Sequence, residues 1–317
     1  MIDRRTLVAA ALATAAGTTL ARTARAADPV FRIGYQKNGI LVVAKQQGVI
    51  EARLKPLGAQ VAWTEFSFGP PLLEALNIGG IDFGQTGDAP PIFAQAAGSD
   101  LVYAAAQGAA GSGAAILVAE TSPIRTLADL KGKRVAFAKA SSAHNLTLAA
   151  LAKAGLTYAD IVPVTLAPAD AAAAFASGQV DAWTIWDPYF ALAQGRPGVR
   201  VLALATDIAK PNNFFLANRN VAQARPEIVK AVVEALSGVA TWCEANRPEV
   251  AALLSRGTGV PLAATERAVA RTDYVIGPVT PDLVAEQQAI ADRFHAVGLI
   301  PKPIRVADAV WAAPPNG

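Results

Sequence analysis

The apolar residues of this chain fall into short runs that alternate with longer segments of helical spacing. The short runs, many bounded by Gly, Pro or Asp, predict strands at residues 31–35, 61–65, 81–85, 101–106, 114–119, 135–138, 162–166, 181–185, 199–204 and 214–217. Helical spacing predicts helices at residues 40–48, 70–77, 88–97, 126–130, 142–154 and 169–176, and a mostly helical segment at 226–297. Such alternation is typical of an α/β fold with parallel strands.

The order of these elements predicts two α/β lobes, with the second lobe inserted into the first. The strand at 114–119 begins a second set of elements, and the strand at 214–217 returns to the first set. We therefore expect residues 27–110 and 208–317 in lobe 1 and residues 111–207 in lobe 2. Small residues at both crossings, 107–113 and 205–211, suit a hinge.

The first 26 residues have the features of an export signal. Arg4 and Arg5 form a twin-arginine pattern before a short apolar run, and Ala24-Arg25-Ala26 resembles a cleavage site. The apolar run is too short to span a bilayer. We expect cleavage near Ala26 and a mature protein in the periplasm.

The net charge of +3 belongs to this leader. Four arginines and one aspartate lie in residues 1–26, so the remainder carries 24 basic and 24 acidic residues. A neutral chain without a basic patch predicts no nucleic-acid partner.

Residues with catalytic chemistry are scarce. The sequence has two histidines, His144 and His295, and one cysteine, Cys243, which we expect to be a buried structural thiol. It has no zinc-type Cys/His cluster, nucleophile elbow, phosphate loop or dinucleotide fingerprint. We therefore expect no catalytic residue, no metal and no cofactor.

A loop-to-helix stretch at residues 139–145 is the strongest candidate for a binding site. It follows a buried strand and leads into an Ala/Leu-rich helix, so Ser141 and Ser142 occupy the helix start. Free N–H groups and the helix dipole make such a start an anion site. His144 and Asn145 lie in the first turn, where His144 is either a pocket-lining donor or a capping residue.

Other candidates follow predicted strands that end where a cleft between two lobes would lie. Gln36 and Lys37 open a second helix, and Asp187 is expected to cap a helix. Trp186 either walls a ligand or packs between lobes, and one of Phe214 and Phe215 should face the cleft because side chains alternate along a strand. The remaining candidates are Ser67, Thr86, Gly87 and Asp88, of which Asp88 is either a helix cap or a ligand contact.

The candidate residues combine amides, hydroxyls, one cation and aromatic surface. Three oxygens of a sulfonate match several backbone and hydroxyl donors, and each charge-assisted bond contributes roughly 1.5–3 kcal/mol. A phosphate dianion favours more cations or an arginine fork, and these motifs contain no arginine. The set therefore predicts a monoanion joined to an apolar group.

Six motifs of the chain are familiar in combination: residues 32–37, 73–77, 86–88, 90–96, 141–145 and 181–189. Together they resemble the aliphatic-sulfonate-binding proteins of bacterial ABC importers, in the group that includes taurine- and nitrate-type binding proteins. The resemblance covers about residues 32–311. It implies a type II periplasmic-binding-protein fold with a ligand cleft between the lobes. It also implies a sulfonate at the helix start near Ser142, opposite residues 36–37 and 86–88, with Trp186 along the carbon chain.

The resemblance implies a monomeric solute-binding protein that captures alkanesulfonates and delivers them to an ABC-transporter permease for sulfur supply. One alternative keeps the fold and binds taurine, nitrate, an aromatic sulfonate or a pyrimidine, with Asp88 or Asp187 facing the ammonium group of taurine. A second alternative is an enzyme related to thiamine-pyrimidine synthases, which the shortage of Cys and His disfavours. A sensor that signals to a membrane receptor also remains open.

Overall fold

The structure is a computed structural model that describes residues 29–108 and 111–312, and it contains two five-stranded sheets. The predicted leader and its cleavage site lie outside the described residues. The strands are β1 Val30–Tyr35, β2 Gln60–Glu65, β3 Phe83–Gly87, β4 Leu101–Gln107, β5 Ala114–Ala119, β6 Arg134–Phe137, β7 Val162–Thr165, β8 Ala182–Trp186, β9 Val199–Leu204 and β10 Asn213–Asn218. Each predicted strand is present, and its ends agree with the prediction to within two residues.

The helices cover both faces of the sheets. They are α1 Ile40–Gln47, α2 Val49–Leu54, α3 Gly69–Asn77, α4 Ala89–Ala96, α5 Ser142–Lys153, α6 Pro168–Ala176, α7 Tyr189–Gln194, α8 Arg219–Ala224, α9 Pro226–Ala245, α10 Arg247–Thr258, α11 Leu262–Ala270 and α12 Pro281–Ala296. The short helices α2 and α8 were not predicted, and α7 follows Asp187, which was expected to cap a helix. The helix predicted at 126–130 is a single 3₁₀ turn, Leu127–Leu130.

The two sheets are mixed, which corrects the prediction of parallel strands. The first sheet has the order β2-β1-β3-β10-β4, and the second has the order β7-β6-β8-β5-β9. β10 is antiparallel to β3 and β4, and β5 is antiparallel to β8 and β9. These two strands follow the chain crossings between sheets, so they enter without the helical crossover that a parallel neighbour requires.

Separate apolar cores support the two sheets. In the first lobe, the sheet packs against α1, α9 and α10, and Phe31, Phe83 and Phe215 are fully buried there. In the second lobe, α5 and α6 cover the sheet through residues such as Phe137 and Trp183. The chain crosses between the sheets after β4 and again after β9, so the ends of several strands and helices meet between the lobes.

Cys243 is fully buried within α9, and burial raises the pKa of its thiol to about 12. Over the described ranges, no helix combines the length and apolar character needed to cross a membrane. Nor do those ranges bring three or more His, Cys, Asp or Glu side chains together as a metal site.

Candidate functional site

The lobes enclose a cavity of about 180 Å³ at the meeting point of these ends. The predicted residues that line it are Gln36, Lys37, Thr86, Gly87, Asp88, Ser141, Ser142, Asn145, Trp186 and Asp187. They come from both lobes, because β1 and β3 belong to the first sheet and β8 to the second. The fold therefore brings together most of the candidate residues that are scattered along the sequence.

The first turn of α5 faces this cavity, and no side chain caps its backbone N–H groups. Ser141 is the N-cap residue, but its hydroxyl donates to the carbonyl of Ala138 (2.7 Å) and makes no capping bond. Within the described residues, the backbone N–H groups of Ser142 and Ala143 have no hydrogen-bond acceptor. Ala140 precedes the turn at φ 60°, a conformation that costs a non-glycine residue energy and is common near binding sites. The arrangement leaves donors and a positive dipole end available to an anion.

Gly87 allows the two lobes to approach each other at this point. A Cβ atom at position 87 would lie 1.9 Å from Oγ of Ser142, so no larger residue fits without a shift. The adjacent Thr86 is buried, and its hydroxyl donates to the carbonyl of Gly87 (3.0 Å). The β3–α4 loop therefore packs against the start of α5.

Asp88 caps α4 and also bonds to the opposite lobe. Its Oδ1 accepts from the N–H of Ala89 (2.6 Å), and its Oδ2 accepts from Nδ2 of Asn145 (2.7 Å). Burial raises the pKa of its carboxyl to about 6, although hydrogen bonds from Asn145, Ala89 and Ser142 oppose that shift. Asp88 is thus both the cap and the inter-lobe contact.

Asn145 connects this carboxylate to an arginine that the sequence motifs do not include. Nη1 of Arg293, on α12, donates to Oδ1 of Asn145 (2.9 Å). Gln287 also lies on α12, and its Nε2 donates to the backbone carbonyl of Asp88 (2.6 Å). The C-terminal helix therefore holds both partners of the inter-lobe hydrogen bond in place.

An ion pair also crosses between the lobes at Asp187. Arg271 follows α11 and donates from Nε and Nη2 to the two carboxylate oxygens of Asp187, at 2.8 and 2.7 Å. Burial raises the pKa of the Asp187 carboxyl, and the Arg271 guanidinium limits the rise. Oδ1 of Asp187 also accepts from the N–H of Ala191 in α7 (3.0 Å), which fits the predicted capping role.

The β1–α1 loop contributes amides and the candidate cation. Nε2 of Gln36 donates to the carbonyl of Gln85 (3.0 Å), and Nδ2 of Asn38 donates to the carbonyl of Asp187 (3.0 Å). Lys37 is exposed and lies 3.6 Å from Glu65, a distance typical of a weak surface ion pair. Lys37 therefore adds positive charge at the rim of the cavity.

Three predicted site residues do not line the cavity: Phe214, Ser67 and His144. Phe214 is fully buried in the first lobe, edge-on to Tyr103, and Phe215 is also fully buried, so neither faces the cleft. The antiparallel strand β10 lies inside the sheet with helices on both faces, which buries both alternating sides. Ser67 is exposed and borders a neighbouring depression that it shares with Gln36 and Trp186.

His144 faces an aromatic cluster instead of the cavity. It stacks on Phe137 (4.7 Å between ring centroids) and lies edge-on to Phe294 (5.2 Å), so rings from both lobes surround it. Its Nδ1 accepts from the N–H of Ala140 (3.2 Å), while Nε2 is buried and has no partner among the described residues. Burial lowers the pKa of its imidazole to about 4.

The structure also adds lining residues that are not among the predicted site residues, although the sequence places the segment of residues 209–213 by the cleft. They come from the crossing before β10 and from the helical C-terminal segment: Lys210, Asn212, Asn213, Leu254, Thr265, Ala268, Val269, Thr272 and Tyr274. The amides of residues 212–213, directly before a predicted strand, were the available signal. The α10–α11 residues belong to a helical segment with core-like spacing, so their periodicity gave no indication of a cavity.

Two mixed α/β lobes joined by two crossings, with a cavity between them, define the two-lobed periplasmic-binding-protein fold. Residues 31–255 match the NMT1-like family, and the chain belongs to that family. The protein is 44% identical to the periplasmic aliphatic sulphonate binding protein of Escherichia coli, with a TM-score of 0.83 over 91% of this chain and 94% of that one.

Two further relatives extend the comparison. The alkanesulfonate-binding protein of Xanthomonas axonopodis pv. citri, solved bound to MOPS, is 44% identical, with a TM-score of 0.83 over 90% of this chain and 99% of that one. A taurine-binding periplasmic protein of Escherichia coli (strain K12) is 27% identical over 65% of this chain and 67% of its own. All three of these relatives are described as binding proteins, and the two from Escherichia coli are described as periplasmic.

Proposed function

We propose that this protein binds alkanesulfonates in the periplasm and delivers them to the permease of an ABC importer, as a binding protein and not as an enzyme. The single observation that carries the proposal is the uncapped first turn of α5, which lines a cavity between the lobes. The 44% identity to two sulfonate-binding proteins supports the same ligand class.

In this proposal the sulfonate oxygens accept from the free N–H groups of Ser142 and Ala143. The positive end of the helix dipole and the nearby Lys37 stabilise the negative charge without a buried counter-ion, whose desolvation would offset much of its attraction. Trp186, half-buried at the end of β8, supplies apolar surface for the carbon portion. The site thus provides polar donors for the head group and carbon surface for the remainder.

Closure of the lobes would couple ligand binding to recognition by the permease. The bonds from Asn145 to Asp88 and from Arg271 to Asp187 join the lobes beside the cavity. A ligand that contacts both lobes favours the joined arrangement by its difference in affinity for the two states. We propose that the permease recognises this closed form of the monomeric protein.

Both carboxylates that line the cavity already have hydrogen-bond or ion-pair partners within the protein. This favours sulfonates with neutral tails as ligands over taurine, which carries an ammonium group. Asp88 accepts from Asn145 and Ala89, and Asp187 is paired with Arg271. A taurine ammonium would have to displace one of these partners, and an unpaired buried charge is costly.

Titration calorimetry with ethanesulfonate, taurine, sulfate and nitrate tests the proposal. We expect ethanesulfonate to bind with a dissociation constant well below millimolar and taurine to bind more weakly. Failure of every alkanesulfonate, together with tight binding of another class, would refute the ligand assignment. The mass of the exported protein and its sedimentation would test cleavage near Ala26 and the monomeric state.

A further inference from the structure

Six residues that line the cavity belong to helices of the first lobe or to the segment after α11, and we call the space that they border the C-terminal chamber. It is lined by α1, α10, α11 and the segment after α11, through the residues Leu41, Leu254, Thr265, Ala268, Val269 and Tyr274. Each of these residues is no more than 9% exposed. The chamber is therefore an enclosed part of the cavity and not its mouth.

The chamber presents mostly carbon surface. The single hydroxyl proton of Thr265 is shared between the carbonyls of Ala251 and Leu262, both at 2.9 Å, and the hydroxyl of Thr272 donates to the carbonyl of Ala268 (2.8 Å). The nearby arginine, Arg271, is engaged with Asp187. The hydroxyl protons of Thr265 and Thr272 are thus used by the backbone, and the Tyr274 hydroxyl interacts with the Thr272 side chain. The six chamber residues carry no charge, so an uncharged group suits this space.

A chain of amides connects the chamber to the loops at the anion-binding end. Gln36 donates to the carbonyl of Gln85 (3.0 Å), Gln85 donates to Oε1 of Gln107 (3.0 Å), and Gln107 donates to the carbonyl of Asp273 (2.6 Å). All three glutamines line the cavity. One elongated ligand can therefore contact α5 at one end and the residues around Tyr274 at the other.

Three partly buried hydrogen bonds hold the wall of the chamber in place. Nη1 of Arg247 donates to the carbonyls of Val269 (2.6 Å) and Thr272 (2.9 Å). The N–H of Tyr274 donates to Oε1 of Glu244 (2.6 Å), which belongs to α9. A wall held at three points cannot easily expand, and such preorganised pockets discriminate ligands by size.

We propose that the C-terminal chamber holds the uncharged organic group of the bound sulfonate and limits the length of that group. The inference rests on the proposed function, because the head group of the same ligand occupies the start of α5. The whole cavity is about 180 Å³ and also has to hold the sulfonate head, so a short chain of carbons is the class of tail that fits the chamber.

The test compares ethanesulfonate with hexanesulfonate by titration calorimetry in the wild type and in Ala268→Leu, which fills the chamber. We expect A268L to weaken hexanesulfonate binding about tenfold or more, while ethanesulfonate changes by less than about twofold. The matched control is Ala263→Leu, at an exposed position on the same helix, which should change neither affinity.

A second variant, Val269→Ala, enlarges the chamber and guards against misfolding of A268L. We expect V269A to bind hexanesulfonate at least as tightly as the wild type and to shift the preferred chain towards greater length. Equal effects on both ligands in folded A268L, or no effect on either, would overturn the chamber assignment alone. A wild-type protein that binds neither sulfonate would overturn the proposed function and the chamber together.

Discussion

The starts of α4 and α5 both follow a strand and both line the same cavity, yet they differ in one respect. At α4, the side chain of Asp88 accepts from the first N–H of its own helix. At α5, the hydroxyl of Ser141 turns back to Ala138 and leaves the helix uncapped. The first N–H group of α4 is therefore bonded to a carboxylate of the protein itself, whereas the first N–H groups of α5 remain available to a bound anion.

The two helix starts also carry titratable groups with opposite responses to pH. Burial raises the pKa of the Asp88 carboxyl to about 6, and burial lowers the pKa of the His144 imidazole to about 4. The neutral Asp88 carboxyl contributes its full stabilisation of the folded state below pH 3.8, and this contribution is lost as the pH rises through 6. The stability from His144 is complete above pH 6.5 and is lost as the pH falls through 4. In the wild type the two contributions partly cancel.

The largest expected effect comes from removing His144. In His144→Phe, the acid-dependent loss of stability disappears, so relative to the wild type the variant gains about 3 kcal/mol of unfolding free energy between pH 7 and pH 4. Urea unfolding across this range measures the difference. The control H295F makes the same change at an exposed position on α12. Parallel pH curves for wild type and H144F would contradict the buried-imidazole explanation.

Replacing Asp88 should produce the opposite slope. In Asp88→Asn, the variant gains stability relative to the wild type as the pH rises from 4 to 7, by about 2 kcal/mol. The same urea series measures it, with D282N as the control at an exposed carboxylate in the first turn of α12. If D88N instead gained stability relative to the wild type as the pH fell, the direction assigned to the Asp88 pKa shift would be wrong.

The uncapped start of α5 is tested by removing one N–H group. Ser142 is the first helical residue, a position that accepts proline, and Ser141 already has the extended backbone that proline requires. We expect Ser142→Pro to weaken ethanesulfonate binding about tenfold to a hundredfold and Ser142→Ala to weaken it much less. Circular dichroism confirms folding of both variants before titration. Equal affinities would show that the N–H of Ser142 does not contact the ligand.

The smallest expected effect belongs to the rim cation. Lys37 is exposed, so Lys37→Gln should weaken ethanesulfonate binding by only about threefold at low salt and by less at high salt. Titrations at two ionic strengths measure the effect, and K302Q, at an exposed lysine outside the cavity lining, is the control. If K37Q lost as much ethanesulfonate affinity as S142P, the lysine and not the helix start would provide the main electrostatic contribution to binding.

Much of the fold follows from local pattern. Apolar runs identified each strand, and the small hydroxyl residues after β6 identified the start of α5, because strand burial and helix initiation depend on nearby residues. The direction of β5 and β10 was not accessible in this way. A strand has the same sequence pattern whether its neighbour runs parallel or antiparallel.

The residues themselves determined that a helix begins beside a polar loop at Ser141 and that two α/β sets follow one another along the chain. Only the tertiary structure decided that Ser141 turns away from its helix, that His144 and Phe214 are enclosed in apolar surroundings, and that Arg293 reaches Asn145. The physical reason is that these outcomes depend on contacts between segments far apart in sequence. The local sequence determines which chemical groups a segment offers, while packing between the lobes determines whether those groups face a ligand.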